Sequence, residues 1–275
     1  MLQADQENAS TTGAVNDLSQ ATFRLIVDQP RDGRENMAID EALMESAGKP
    51  GALPVFRFYS FNPPTLSVGR FQETENVFDF EAIRRDGITF IRRPSGGQAV
   101  LHDTELTYSA VAGRELVSHL SKRGFYRFIV PVLLEGLKRL EVSGTAAESG
   151  VGSGNPDCFA ATGEYEIQSS TGKKLIGSAQ MVSRSAVLQH GSIPLGRANR
   201  RIHAYILDDR GENTSSSILE ETGAPVDVVK AANAFSEALK DILKIKLSRL
   251  SDGEKKRAKE LLAERYENPQ WNRKY

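Results

Sequence analysis

The segment EYEIQSSTGKKLIGSAQ, residues 164–180, is where the fold becomes readable. EYEIQSS runs as a strand, Ser-Ser-Thr-Gly supplies a turn, and GKKLIGSAQ returns as a second strand, which predicts a β-hairpin. Strand alternation then sorts the side chains. If Leu175 faces the core from one side, Lys173 shares that face, and Lys174 shares the other with Ile176 and Ser178. Gly177, Ser178 and Ala179 are too small to fill a sheet face, which predicts a groove occupied by something else.

Working outward, TFRLIVDQ (22–29), VFRFYSF (55–61), LSVGRF (66–71), ITFIRR (88–93), QAVLHD and ELTYSAVA all read as strands. ENMAIDEALMES and FDFEAIRRDG read as helices, as do APVDVVKAANAFSEALKDILKI and SDGEKKRAKELLAERY near the end. LSKRGFYRFIVPVLLEGLKRL (120–140) has helical apolar spacing, and Pro131 inside it predicts a kink or a break. Strands and helices intermix without a strict βαβ rhythm. The expected class is therefore α+β, with mixed, largely antiparallel sheets flanked by helices.

The chain has 275 residues, 39% hydrophobic and 26% charged, enough for a substantial core. Lys+Arg 35 against Asp+Glu 36 leaves no bulk charge to attract nucleic acid or an anionic membrane, so neither is expected as a partner. A single cysteine forms no internal disulfide and no thiolate metal site, which fits the reducing cytoplasm. Residues 1–20 hold no Lys, no Arg and no apolar run, so they read as a disordered tail rather than a targeting signal.

Three further stretches sit where chemistry can occur. RRPSGGQAVLHD (92–103) joins two strands through Ser95, Gly96 and Gly97, whose N–H groups can face an anion or a carbonyl oxygen. It is neither a GxxxxGK[ST] phosphate loop nor a GxGxxG helix start, and taken by itself it is expected to be a β-turn whose glycines serve geometry alone. His102 beside Asp103 resembles an acid–base pair, but strand neighbours point to opposite faces, so a hydrogen-bonded structural histidine is expected. LQHGSIPL (188–195) places His190 next to Gly191. Cys158 ends VSGTAAESGVGSGNPD (142–157), a glycine-rich stretch that reads as a flexible arm able to swing the thiol, or as an ordinary solvated loop.

RRPSGGQAVLHD, GKKLIGSAQ and QHGSIPL, in this order, resemble the superfamily of lipoate-protein ligases, octanoyltransferases and biotin-protein ligases. NMAIDEAL (36–43), RFYSFNPPTLSVGRFQ (57–72) and LLAERYENPQWN (261–272) extend the resemblance over nearly everything after the tail. DCFAATGEYEI, with its cysteine just before the hairpin, is most similar to the LipM-type octanoyltransferases. The resemblance implies one catalytic domain over residues 21–275, similar to the lipoate/biotin ligase catalytic domain, acting as a monomer.

It also implies a reaction. Octanoyl leaves octanoyl-acyl carrier protein, rests as a thioester on Cys158, and passes to a lysine of a lipoyl domain or a glycine cleavage H-type protein. Thioester exchange is nearly level in energy and transfer to an amine runs downhill, so ATP and other cofactors are not called for. Lys174 would stabilise the thiolate and then the oxyanion. Arg93, Ser95, Gly96, Gly97, His102, Gly177, Ser178, Ala179, His190 and Gly191 would bind the substrate. Many relatives carry a third glycine where this chain has Gln98, which would narrow the pocket. An acidic donor would dock on a local basic patch, either Lys122, Arg123 and Arg127 or Arg197, Arg200 and Arg201. The competing functions are an ATP-dependent lipoate-protein ligase, an octanoyl amidotransferase between lipoyl domains, and a non-catalytic module that binds a lipoyl domain.

Overall fold

The structure, a computed structural model, describes residues 18–118, 120, 123–148, 156–160, 166–208 and 215–275. Among these the strands are β1 (Thr22–Val27), β2 (Val55–Tyr59), β3 (Thr65–Val68), β4 (Thr89–Arg92), β5 (Val100–His102), β6 (Glu105–Gly113), β7 (Gly144–Ala146), β8 (Ile167–Ser169), β9 (Lys174–Val182), β10 (Ala186–Pro194) and β11 (Lys244–Leu247). They build an 8-stranded sheet, β11-β1-β2-β6-β10-β9-β8-β7, and a 3-stranded sheet, β4-β3-β5. Pairings β11–β1, β1–β2 and β3–β4 are parallel and the others antiparallel, so the expected mixed, largely antiparallel α+β architecture is what forms.

Both faces of the large sheet are covered, and β2 shows why. Phe56 and Phe58 point into a core shared with helices Gly124–Arg139 and Val228–Ile242, through Phe125, Ile129 and Phe235. Val55 and Tyr59 point the other way, against helix Gly33–Ala47 and its neighbour Asp252–Leu261. Phe78, Ile83 and Tyr205 fill a third cluster around the small sheet. No helix among the described residues is long and apolar enough to cross a membrane.

Four sequence expectations shift. Helix Gly124–Arg139 runs unbroken through Pro131. Pro131 and Arg127, whose carbonyl loses its donor, both lie on the exposed face, so water can replace the missing bond. The helix predicted over residues 224–245 stops at Ile242, and Lys244–Leu247 becomes an edge strand beside β1. Its alternating Lys-Ile-Lys-Leu has period 2, and lysines on an edge discourage further pairing. Part of the predicted flexible arm, Gly144–Ala146, pairs with β8. Residues 149–155 of that arm lie outside the described residues. At the tail, Leu18–Gln20 form a 3-10 turn with Leu18 buried in the core, while residues 1–17 lie outside the description.

The C-terminal Asn-Pro-Gln-Trp-Asn run ties the end of β4 in place. Asn272 accepts the Arg92 N–H at 3.0 Å, and the Trp271 indole donates to the Arg92 carbonyl at 2.9 Å. Arg93, the next residue, is thereby held over the seam between the two sheets.

Candidate active site

A cleft opens at that seam, lined by Met37, Ser67, Arg93, Val100, His102, Cys158, Gly177 and His190 among others. It holds about 30 Å³ of free space, room for one or two water molecules. One wall is a hydrogen-bonded array centred on Arg93, which is buried and whose guanidinium burial pushes below its ordinary value. Arg93 donates to the Gly96 and Gln98 carbonyls, both at 2.8 Å, and so holds the Ser-Gly-Gly loop in shape. Gly97 has φ +94°, a left-handed value that glycine adopts without strain.

Two chains of hydrogen bonds leave Arg93. Its Nε donates to Ser95 Oγ at 3.2 Å, and Ser95 Oγ lies 2.6 Å from His190 Nε2. His190 Nδ1 lies 3.3 Å from Asp40, whose carboxylate also accepts from Arg57, Tyr59 and Ser109. The second chain runs from Arg93 to Ser67 at 3.3 Å, then to His102 Nε2 at 2.8 Å, then from His102 Nδ1 to Glu105 at 3.0 Å. Glu105 also accepts from Thr107 and Ser192. A carboxylate can only accept and a guanidinium can only donate, so each serine oxygen accepts from Arg93, each serine hydroxyl donates to a histidine Nε2, and each Nδ1–H donates to the acid.

Electrostatics agrees with that polarity. Burial alone would raise the Asp40 carboxyl, but the His190 hydrogen bond and the Arg57 charge outweigh it and hold Asp40 below its ordinary value. Burial pushes the His190 imidazole down against the pull of Asp40, so this histidine is neutral near pH 7.

The opposite wall carries the thiol. Cys158 opens a 3-10 turn, Cys158–Ala160, docked on the residue before β5: Ala99 N–H donates to the Pro156 carbonyl and Cys158 N–H to the Ala99 carbonyl, both at 2.8 Å. Asp157 caps the turn by accepting the Phe159 N–H at 2.9 Å. The first residue of β9, Lys174, then reaches under Gly177. Its Nζ lies 3.5 Å from Cys158 Sγ, 2.8 Å from the Cys158 carbonyl oxygen and 2.7 Å from Glu166 Oε2. Lys174 is 1% exposed. Burial works against its charge, but Cys158 and Glu166 outweigh burial and raise it above the ordinary lysine value. The other Glu166 oxygen accepts the Ser178 N–H at 3.3 Å.

This geometry depends on a break in alternation. A β-bulge opposite Ile167 and Gln168 brings Leu175 and Ile176 into the same core cluster. Lys174 therefore does not follow Ile176 as simple parity predicts; it lies along Gly177, where an added Cβ would come within 3.0 Å of Lys174 Cε. Lys173 stays exposed at the turn. Gly191 is similarly required, because a Cβ there would come within 2.5 Å of Tyr108 Cε1 and 2.7 Å of the Gly177 carbonyl.

Of the residues singled out from sequence, Arg93, His102, Cys158, Gly177, Ser178, Ala179, His190 and Gly191 line the cleft. Ser95, Gly96 and Gly97 stand behind Arg93 and shape it, while Lys174 approaches the sulfur from beneath the floor. Gln98 does not line the cleft and acts through its carbonyl. His102 takes its acid from Glu105, not from Asp103, which pairs with Arg201. Arg197 and Arg200 are paired with Glu220, so that basic cluster is largely neutralised internally. Arg123 and Arg127 are exposed at the start of their helix, and Lys122 lies outside the described residues.

Asp40, Glu105 and Glu166 went unnoticed in the sequence. Asp40 had a signal, an acid within the apolar stripe Met37, Asp40, Met44 of its helix. Glu166 lay inside the quoted EYEI, but nothing in strand alternation sets it apart.

Residues 32–243 match the lipoyl protein ligase A/B catalytic domain family. Octanoyltransferase LipM of Halalkalibacterium halodurans is 34% identical over 272 residues, covering 91% of this chain and 98% of that protein. The Bacillus subtilis octanoyltransferase LipM is 32% identical over 280 residues, covering 94% and 100%. A solved lipoate-protein ligase A bound with ATP shares the fold, with a TM-score of 0.78 at 22% identity over 92% of this chain and 98% of the other. On the extent of these matches, the chain belongs to the lipoyl protein ligase A/B catalytic domain family.

Proposed function

We propose that the chain is an octanoyltransferase of lipoate biosynthesis, working through a thioester on Cys158 with octanoyl-acyl carrier protein as donor and a lipoyl domain or glycine cleavage H-type protein as acceptor. The observation that carries this reading is the Lys174 ammonium 3.5 Å from the only sulfhydryl, at the edge of a cleft whose lining sets Met37, Val100, Ala179, Gly177 and Gly191 beside the polar array.

In the first half-reaction the Cys158 thiolate attacks the donor thioester carbon. The C–S bond to the donor breaks, and the departing thiolate takes a proton from solvent. In the second, the neutral acceptor amine attacks the Cys158 thioester, the new C–N bond forms, the Cys158 thiolate leaves, and the amine proton goes to solvent. A cation beside the sulfur stabilises negative charge in both steps. The eight-carbon chain needs more room than the cleft holds, and Met37, unbranched and pliable, is the wall best able to give way.

The test is intact-protein mass spectrometry after mixing with octanoyl-acyl carrier protein without ATP. A hydroxylamine-labile octanoyl adduct that disappears in Cys158→Ala supports the reading. Acceptor labelling that needs ATP and survives Cys158→Ala would replace it with a ligase. Loading from an octanoylated lipoyl domain in preference to the carrier protein would make it an amidotransferase.

A further inference from the structure

The acyl-enzyme stage poses a charge problem. While Cys158 carries an acyl group its sulfur is neutral, yet Lys174 remains buried at 1% exposure beneath it. A buried ammonium without a counter-charge loses its proton. It would then be unavailable when the acceptor amine attacks and Cys158 must leave as an anion. Glu166 supplies the missing counter-charge: one carboxylate oxygen sits 2.7 Å from Lys174 Nζ and the other is pinned by the Ser178 N–H.

We propose that Glu166 is a positioning residue that keeps the Lys174 ammonium charged and aimed at the sulfur throughout the acylated state. This inference rests on the thioester reading above.

Among the described groups that face Lys174, Glu166 is an anion that outlasts acylation of the sulfur. The turn Cys158–Ala160 contributes the sulfur, the Cys158 carbonyl and the Phe159 ring, 5.3 Å from Nζ. Glu166 comes from the chain entering β8. Around them, Arg93 and Tyr126 lie within electrostatic reach of the sulfur, and Tyr108 and Tyr126 within electrostatic reach of Glu166. Burial holds both tyrosine hydroxyls above their ordinary value, so neither supplies an anion near neutral pH. Of the two groups that raise Lys174, acylation removes the sulfur and leaves Glu166.

The sign follows. With Glu166 neutralised and Cys158 acylated, both of these groups that raise Lys174 are lost while its burial remains, which moves the lysine downward. Rates that depend on the ammonium then fall as pH rises through that lowered value. The wild-type protein keeps its charge to higher pH.

The experiment separates the half-reactions in wild type and Glu166→Gln: loading of Cys158 from octanoyl-acyl carrier protein by intact mass, then transfer from the isolated octanoyl adduct to a lipoyl domain, each between pH 6 and 10. Expected in Glu166→Gln is loading within about threefold of wild type, transfer slower by about tenfold or more, and an alkaline limb of transfer moved to lower pH. Glu166→Asp, which keeps the charge, should restore the wild-type limb, and it carries the test if Glu166→Gln does not fold. Equal losses in both half-reactions with an unmoved limb would overturn the proposal, as would transfer at the wild-type rate. A wild-type protein that never loads would overturn the thioester reading and this inference with it.

Discussion

The two walls of the cleft use the same kinds of polar side chain to opposite ends. On the histidine wall every polar group has a partner: Arg93 at one end, Asp40 and Glu105 at the other, with Ser95, His190, Ser67 and His102 between them. Such satisfied networks hold shape, and their proton positions are dictated by the charges at their ends. On the thiol wall one ammonium is shared between a carboxylate and a sulfur, whose charge would change during the proposed reaction. The contrast teaches that serine, histidine and acid in sequence need not mark a nucleophile. Here they form a hydrogen-bonded frame across the cleft from Cys158.

If that division holds, the largest effect belongs to the thiol wall. Lys174→Met should slow octanoyl loading by about 10²- to 10³-fold, followed by adduct mass on protein that still shows a folded circular dichroism spectrum. An unchanged loading rate would erase the contrast.

Next comes the frame. Asp40→Asn removes the charge that Arg57 meets at 2.9 Å in a fully buried setting. Breaking one side of a buried pair should lower unfolding free energy by about 3 kcal/mol, with Asp28 and Asn36, the other partners of Arg57, limiting the loss. Urea denaturation measures it.

Gly191→Ala is smaller. The added methyl meets Tyr108 and the Gly177 carbonyl, backbone that cannot easily yield, so a loss of about 1–3 kcal/mol is expected. A thermal shift near zero would mean that the β9–β10 pair is looser than its contacts imply.

The smallest is a slope. His190 is held below its ordinary value by burial, so above about pH 6.5 folded and unfolded states are both neutral there and its full contribution is present. As pH falls through that value the unfolded chain gains a proton that the folded chain does not, and stability declines by at most about 1.4 kcal/mol per pH unit. His190→Gln should flatten that part of the curve.

Period-2 and period-3.6 patterning was enough for most strands and helices, the hairpin and the α+β class, because those signals reside in neighbouring residues. Patterning left either lysine as a solvated strand edge; it was the resemblance of the surrounding motifs to a known superfamily that singled out Cys158 and Lys174 as a pair. Patterning failed where a distant partner or a local irregularity intervened. Lys244–Leu247 became a strand because β1 lies beside it, and Pro131 was absorbed because its turn faces water.

The site itself shows the same limit. Asp40 and His190 lie 150 positions apart, and only packing of helix Gly33–Ala47 on β10 joins them. Lys174 reaches the sulfur because a bulge cancels the alternation that would have sent it elsewhere, and Glu166 becomes its counter-ion because the hairpin arms close at that register. Side-chain identity was written in the chain; which charges would meet, and at what burial, is a property of contacts that form only when the two sheets and their helices come together.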